Sequence, residues 1–93
     1  MYPDDRTRIA QLNPTLRGIL DAELAAGNTV VETWGGWPAN GSIGVQLEKQ
    51  FRSKPNDLPP NVRYREVNDP HYWKAEIESI EQPHVLTCGF AIK

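Results

Sequence analysis

Residues 13–28, NPTLRGILDAELAAGN, carry both the start and the stop of one α-helix. Asn13 is a strong N-cap, and Pro14 takes the first helical position, where its missing N–H costs nothing. Leu16, Ile19, Leu20 and Leu24 follow at helical spacing and form one apolar stripe. Arg17, Asp21 and Glu23 fall mostly off that stripe. Gly27, followed by Asn28, stands where a left-handed residue closes a helix. The spacing predicts a helix from Pro14 to Ala26. A shorter helical turn over residues 5–12 precedes it, broken at Asn13 because the residue before a proline is driven out of the α region. A single amphipathic helix has to bury its stripe against something, and the rest of the chain must supply that surface.

The rest reads as strands. Residues 29–34, TVVETW, are β-rich, and residues 42–48 alternate cleanly with Ile43, Val45 and Leu47 on one face. Between them lies GGWPANG, whose Asn40-Gly41 step favours a hairpin turn. Gly35 and Gly36 suggest a bulge or a wide loop. Residues 62–67 and 73–80 read as a second hairpin around the turn NDPH.

Here the charges choose the register. A four-residue loop over Asp69–Tyr72 sets Asn68 opposite Trp73, Arg65 opposite Glu76 and Arg63 opposite Glu78. Two opposite-charge pairs then line one face, each contributing about 0.2–1 kcal/mol. Val62, Tyr64, Trp73, Ala75 and Ile77 share the other face, which becomes the core side. A three-residue loop opposes Arg63 to Ile77 and Arg65 to Ala75, and a slip of one residue changes every partner.

Residues 84–92 are apolar on both sides of the alternation, the mark of a central strand covered on both faces. Residues 49–61 hold three prolines and little periodicity, and read as a long surface connection with Phe51 and Leu58 tacked down. The fold class is therefore α+β: an N-terminal helix packed on one face of a mostly antiparallel four- to five-stranded sheet, in the order α-β-β-β-β-β. Residues 1–93 make a single domain, with 49–61 as its Pro-containing surface connection.

Composition narrows the function classes. Ninety-three residues support only a thin core, so a deep catalytic cavity competes with that core for apolar side chains. The net charge is -2, which favours neither nucleic acid nor an anionic membrane. No apolar run approaches the ~20 residues of a membrane span, and MYPDDRTR lacks the pattern of a signal peptide. Cys88 is the one cysteine and His71 and His84 the two histidines, too few for a structural metal site. The expectation is a reduced, cytoplasmic protein with no metal and no cofactor.

Four features carry possible function. Trp34 and Trp37 flank flexible glycines, and Trp offers large contact area with few rotors; Trp34 is expected to cap the thin core, with Trp37 the freer ring. Asn68, Asp69, Pro70, His71, Tyr72 and Trp73 gather an acid, an imidazole and two aromatics in one turn. An Asp can orient a His for proton transfer, but Asn and Asp before proline are also ordinary turn residues. Glu66 falls on the core side between Tyr64 and Asn68, where desolvation raises a carboxyl pKa unless the group reaches water or an amide. Lys49, Arg52, Lys54, Arg63 and Arg65 are opposed only by Asp57, a local charge of five minus one, or +4. Arg63 and Arg65 are taken by Glu78 and Glu76, which leaves a lightly basic loop. Cys88, between Thr87 and Gly89 in an apolar strand, has no activating cation.

The reading is a small non-catalytic protein-interaction module. Its face is built from the GGWP loop and the DPHYW turn, with Trp37, Asp69, His71 and Tyr72 as binding residues. The partner is another protein or a second copy of the chain, pairing through an edge strand, and neither nucleic acid nor a membrane. The alternative is a small-ligand-binding domain or minor hydrolase, which requires Asp69, His71 and Glu66 to converge.

Overall fold

In the computed structural model, which describes residues 3–36, 41–52 and 55–91, two helices lead into a five-stranded sheet. Helix α1 is Pro3–Gln11 and α2 is Pro14–Ala25. The Asn13 side chain accepts the Thr15 N–H at 3.0 Å and the Leu16 N–H at 3.3 Å, the capping its position implies. Gly27 closes α2 with φ +98°, a conformation that a Cβ would penalise. The segment expected as one short turn is a nine-residue helix. It is tied to the sheet by Arg8, whose guanidinium donates to the Gly35 carbonyl at 2.9 Å and the Thr33 hydroxyl at 3.2 Å.

The strands are β1 (Val30–Gly35), β2 (Ile43–Leu47), β3 (Val62–Asn68), β4 (Tyr72–Ser79) and β5 (His84–Ala91). They lie in the order β1-β2-β5-β4-β3. Every neighbouring pair is antiparallel except β2 and β5, which run parallel. The sheet is thus mostly antiparallel and the fold α+β, with the N-terminal helices on one face. The β3–β4 register is the one the charges select: Asn68 faces Trp73, Arg65 faces Glu76 and Arg63 faces Glu78. Between β2 and β3 the chain makes a 3-10 turn at Pro55–Asp57, with Phe51 buried and Leu58 packed against the core.

The core lies between α1, α2 and one face of the sheet. Leu16 and Leu20 of α2 meet Ile43, Val45 and Leu47 of β2, Ile77 of β4 and Leu86 of β5, all essentially without solvent contact. Ile9 and Leu12 extend it beneath α1. Each such side chain contributes about 1.5–3 kcal/mol by leaving water.

Two expectations about faces need correction. Strand β5 is central, but only its Leu86 side meets the helices; Val85, Thr87 and Gly89 lie half-buried on the other side, which no helix or strand among the described residues covers. On α2, Leu24 is exposed while Glu23 is buried. The Glu23 carboxylate accepts the Arg52 backbone N–H at 2.9 Å and the Asn28 side-chain amide at 3.3 Å, which fastens the end of the helix to the chain after β2.

Candidate functional site

The uncovered face follows from the register. Side chains directly opposite one another across the strands form rows. One row runs Trp34, Gly44, Val85, Glu78, Arg63, and the next runs Glu32, Gln46, Thr87, Glu76, Arg65. Beyond these, Gly89 stands beside Lys74, and Ala91 beside Tyr72. Apolar and aromatic side chains hold two opposite corners, and polar ones lie between.

Trp34 is on this face rather than over the core. The cause is a register shift between Val30 and Glu32, which adds one residue to β1. Val30 packs against the core; with regular alternation, Glu32 and Trp34 would share its side. With the extra residue, Thr33 is buried on the helix side and Trp34 faces outward at 38 % exposure. The indole lies against Gly44. A Cβ at residue 44 would stand 2.0 Å from two carbons of the ring, so only glycine lets it rest on the strand.

Trp34, Tyr72, Gln46, Thr87, Glu76 and Lys74 border a shallow groove of about 450 Å³, floored by Val85 and Gly89. That volume falls within the range of ligand pockets. The ionised groups around it are paired. Lys74 Nζ lies 2.9 Å from one Glu76 oxygen and Arg65 Nη2 lies 3.1 Å from the other, while Arg63 approaches Glu78 at 3.7 Å. Burial alone would raise the Glu76 carboxyl, but Lys74 and Arg65 outweigh it and hold it below the ordinary carboxylate range.

The residues singled out in the sequence meet different fates. Trp37 lies outside the described residues. Tyr72 is exposed and borders the groove. Asp69 closes the turn: its carboxylate accepts the His71 N–H at 2.8 Å, and its own N–H donates to the Tyr72 carbonyl at 2.9 Å. His71 is exposed in that turn. Glu66 accepts the Asn68 amide at 3.1 Å and the Tyr64 hydroxyl at 2.9 Å, and also the Trp73 indole. The Asn68 bond leads in holding its carboxyl below the usual range. Tyr64, half-buried and beside that carboxylate, is pushed up to about 12. Glu66, Asp69 and His71 do not line the groove.

Two groups carried more than the sequence signalled. His84 is buried at the start of β5. Its Nδ1 accepts the Asn13 N–H at 2.9 Å and its ring donates to the Gly41 carbonyl, so the imidazole is neutral and joins the helix junction to the hairpin loop. Burial holds its pKa below the ordinary value. Its parity with Leu86 and Cys88 is the signal that places it inside. Glu23 is the second, and its signal is its angular position on α2, close to that of Leu16. Cys88 is a buried free thiol whose pKa burial pushes up, which makes it a poor nucleophile.

Among the described residues no group of three or more His, Cys, Asp or Glu could hold a metal ion, and no helix is long and apolar enough to cross a membrane. No protein-family model matches the chain, and none of the curated proteins or solved structures compared with it matches either.

Proposed function

We propose that the chain is a non-catalytic protein-interaction module that binds through the uncovered face of its sheet, with Trp34 and Tyr72 as anchors. The observation that carries this reading is the Trp34–Gly44 contact. The chain places a glycine under an indole on the sheet face that no helix among the described residues covers, which presents a flat aromatic surface to solvent. Large aromatics with few rotors are the residues that dominate binding energy at interfaces. Three titratable side chains are occupied instead: Asp69 in its turn, Glu66 with three donors, His84 between Asn13 and Gly41. A reducing, cytoplasmic setting fits a domain whose one thiol is buried and free.

The test is recovery of partners from an extract of the native host, with wild type compared against Trp34→Ala, Tyr72→Ala and, as a control on the helix side, Leu24→Ala. A partner held by wild type and by the control should drop about tenfold with either aromatic variant, the change that ~1.4 kcal/mol brings. Circular-dichroism melts confirm that each variant folds. A partner retained in full by both aromatic variants refutes the assignment of this face.

A further inference from the structure

We infer that this face takes an uncharged, proline-containing peptide segment in the extended polyproline conformation, lying diagonally from Trp34 to Tyr72. The inference rests on the protein-interaction reading and deepens it by naming the chemistry of the partner.

The sheet edges argue first. A partner strand could add to β1 or β3, but both edges are guarded. Strand β1 carries the extra residue near Val31, and β3 presents Arg63, Arg65 and Glu66. A bulge and a run of charges are the devices that oppose edge pairing. A segment that crosses the face instead meets side chains and no free ladder, so its own backbone must not depend on strand pairing. The polyproline helix has no internal hydrogen bonds, keeps its backbone solvated and is formed before binding.

Charge argues second. The groove's cations are all ion-paired within the face, Lys74 and Arg65 with the shared Glu76 carboxylate and Arg63 with Glu78. A charged ligand would have to compete with these pairs. A neutral segment leaves all of them in place.

Surface chemistry argues third. Among the described residues the Trp34 indole, the Tyr72 hydroxyl and the Gln46 amide hold no hydrogen bond; all three can donate, and they border the same groove. A polyproline segment offers carbonyl acceptors and, at each proline, no N–H that needs a partner. Its pyrrolidine rings are flat apolar plates of the kind that aromatic-lined grooves dock. Trp34, held flat on Gly44, exposes such a stacking face.

Dimensions agree. Val85 lies in the row of Trp34 and Ala91 pairs with Tyr72. Those two positions are about 20 Å apart along β5, and β1 and β4 are about 14 Å apart across the sheet. The diagonal of about 25 Å matches about eight residues at ~3.1 Å each.

The experiment is a titration of the full ¹⁵N-labelled chain with an uncharged, end-blocked peptide of about eight prolines, followed by NMR. A Gly-Ser peptide of equal length and a neutral hexasaccharide serve as comparisons. The Trp34 indole and the Thr87 and Gly89 amides should shift saturably with the proline peptide. The affinity should hold between about 50 mM and about 500 mM salt, because no counterions are released. Trp34→Ala and Gln46→Ala should each weaken it about tenfold or more; Gln46→Ala, a change on a half-exposed surface position, keeps the test valid if the indole variant folds poorly. Three results overturn the inference: no saturable shift up to about 5 mM peptide, shifts confined to the outer amides of β1 or β3, or saturable shifts with the saccharide alone. If the proline peptide fails while a host partner is still captured through Trp34, the inference falls and the interaction module stands. If Trp34 matters to neither, both fall.

Discussion

Gly44→Ala tests the placement of Trp34 directly. A methyl group at residue 44 would lie 2.0 Å from ring carbons of Trp34 and 2.5 Å from its nitrogen. Carbon atoms rest about 3.5–4.0 Å apart, so the ring must withdraw by roughly 1.5–2 Å. Gly44 has no positive φ, so the alanine backbone itself is unstrained. Trp34 is 38 % exposed, and a Trp buries at most about 250 Å². If half of its buried area, some 75 Å², returns to water, the loss at ~25 cal/mol per Å² is about 2 kcal/mol. Replacing glycine within a strand returns about 0.5–1 kcal/mol through the unfolded chain. The net destabilisation is about 1 kcal/mol, or roughly 4–8 °C in Tm for a domain of this size. In a Trp34→Ala background the clash is gone and only the entropic gain remains, so the same substitution should stabilise by about 0.5 kcal/mol. Urea denaturation of the four proteins in this cycle measures the difference. If Gly44→Ala costs the same with and without the indole, the ring does not rest on Gly44 and the groove loses its platform.

Three further outcomes follow from buried polar groups. His84 titrates near ~6.5 in the unfolded chain and lower in the folded one, so stability is whole above about pH 6.5 and falls as pH drops below it, by at most about 1.4 kcal/mol per pH unit. Urea midpoints measured from about pH 7.5 to about pH 5 should decline for wild type and flatten in His84→Asn, since Glu66 and Glu76, held low, act only below about 4.5; an unchanged slope in the variant refutes the assignment. Glu23→Ala strands the Arg52 N–H and leaves the Asn28 amide only its bond to the Lys49 carbonyl, and should cost about 2 kcal/mol, against less than about 1 for Leu24→Ala, the reverse of what side-chain polarity suggests; paired denaturation curves check it. Glu76→Ala should cost about 1 kcal/mol because Lys74 and Arg65 share a carboxylate that is mostly buried, whereas Glu78→Ala, with one exposed and distant partner, should cost under about 0.5; equal costs refute the distinction.

The elements that could be read from sequence were those in which several local signals agreed. Asn13, Pro14 and Gly27 marked both ends of α2, and capping is decided by the few residues at a terminus. The β3–β4 register was legible because opposite charges and apolar side chains both selected it, and a wrong register would have broken both patterns. The parallel pairing of β2 with β5 left no such trace, since it joins strands far apart in the chain. Glu23 was misplaced by reading the stripe through Leu16, Leu20 and Leu24. At about 100° per residue, Glu23 stands about 20° from Leu16 around the helix, while Leu24 stands about 80° away. Geometry therefore puts the carboxylate mid-face and the leucine at the margin, and the structure satisfies the acid with Arg52 and Asn28.

The site was harder to read because one residue decides it. With regular alternation from Val30, Glu32 and Trp34 would both point at the helices, and the sheet's outer face would lose its aromatic corner. The extra residue between Val30 and Glu32 reverses the parity and sends Thr33 inward, where it meets Asp5 and Arg8 of α1. The same irregularity guards the β1 edge against strand addition. A repair of the bulge by deletion of Val31 should therefore separate the two properties. The pairs Glu32–Gln46, Thr33–Val45 and Trp34–Gly44 would follow Val30–Leu47 without a break, so Thr33 stays on α1 and Trp34 stays outward, while the edge becomes regular and open to pairing. Such a protein should keep groove binding and gain self-association, visible as a concentration-dependent mass in sedimentation. A deletion variant that stays monomeric would show that the bulge does not guard the edge.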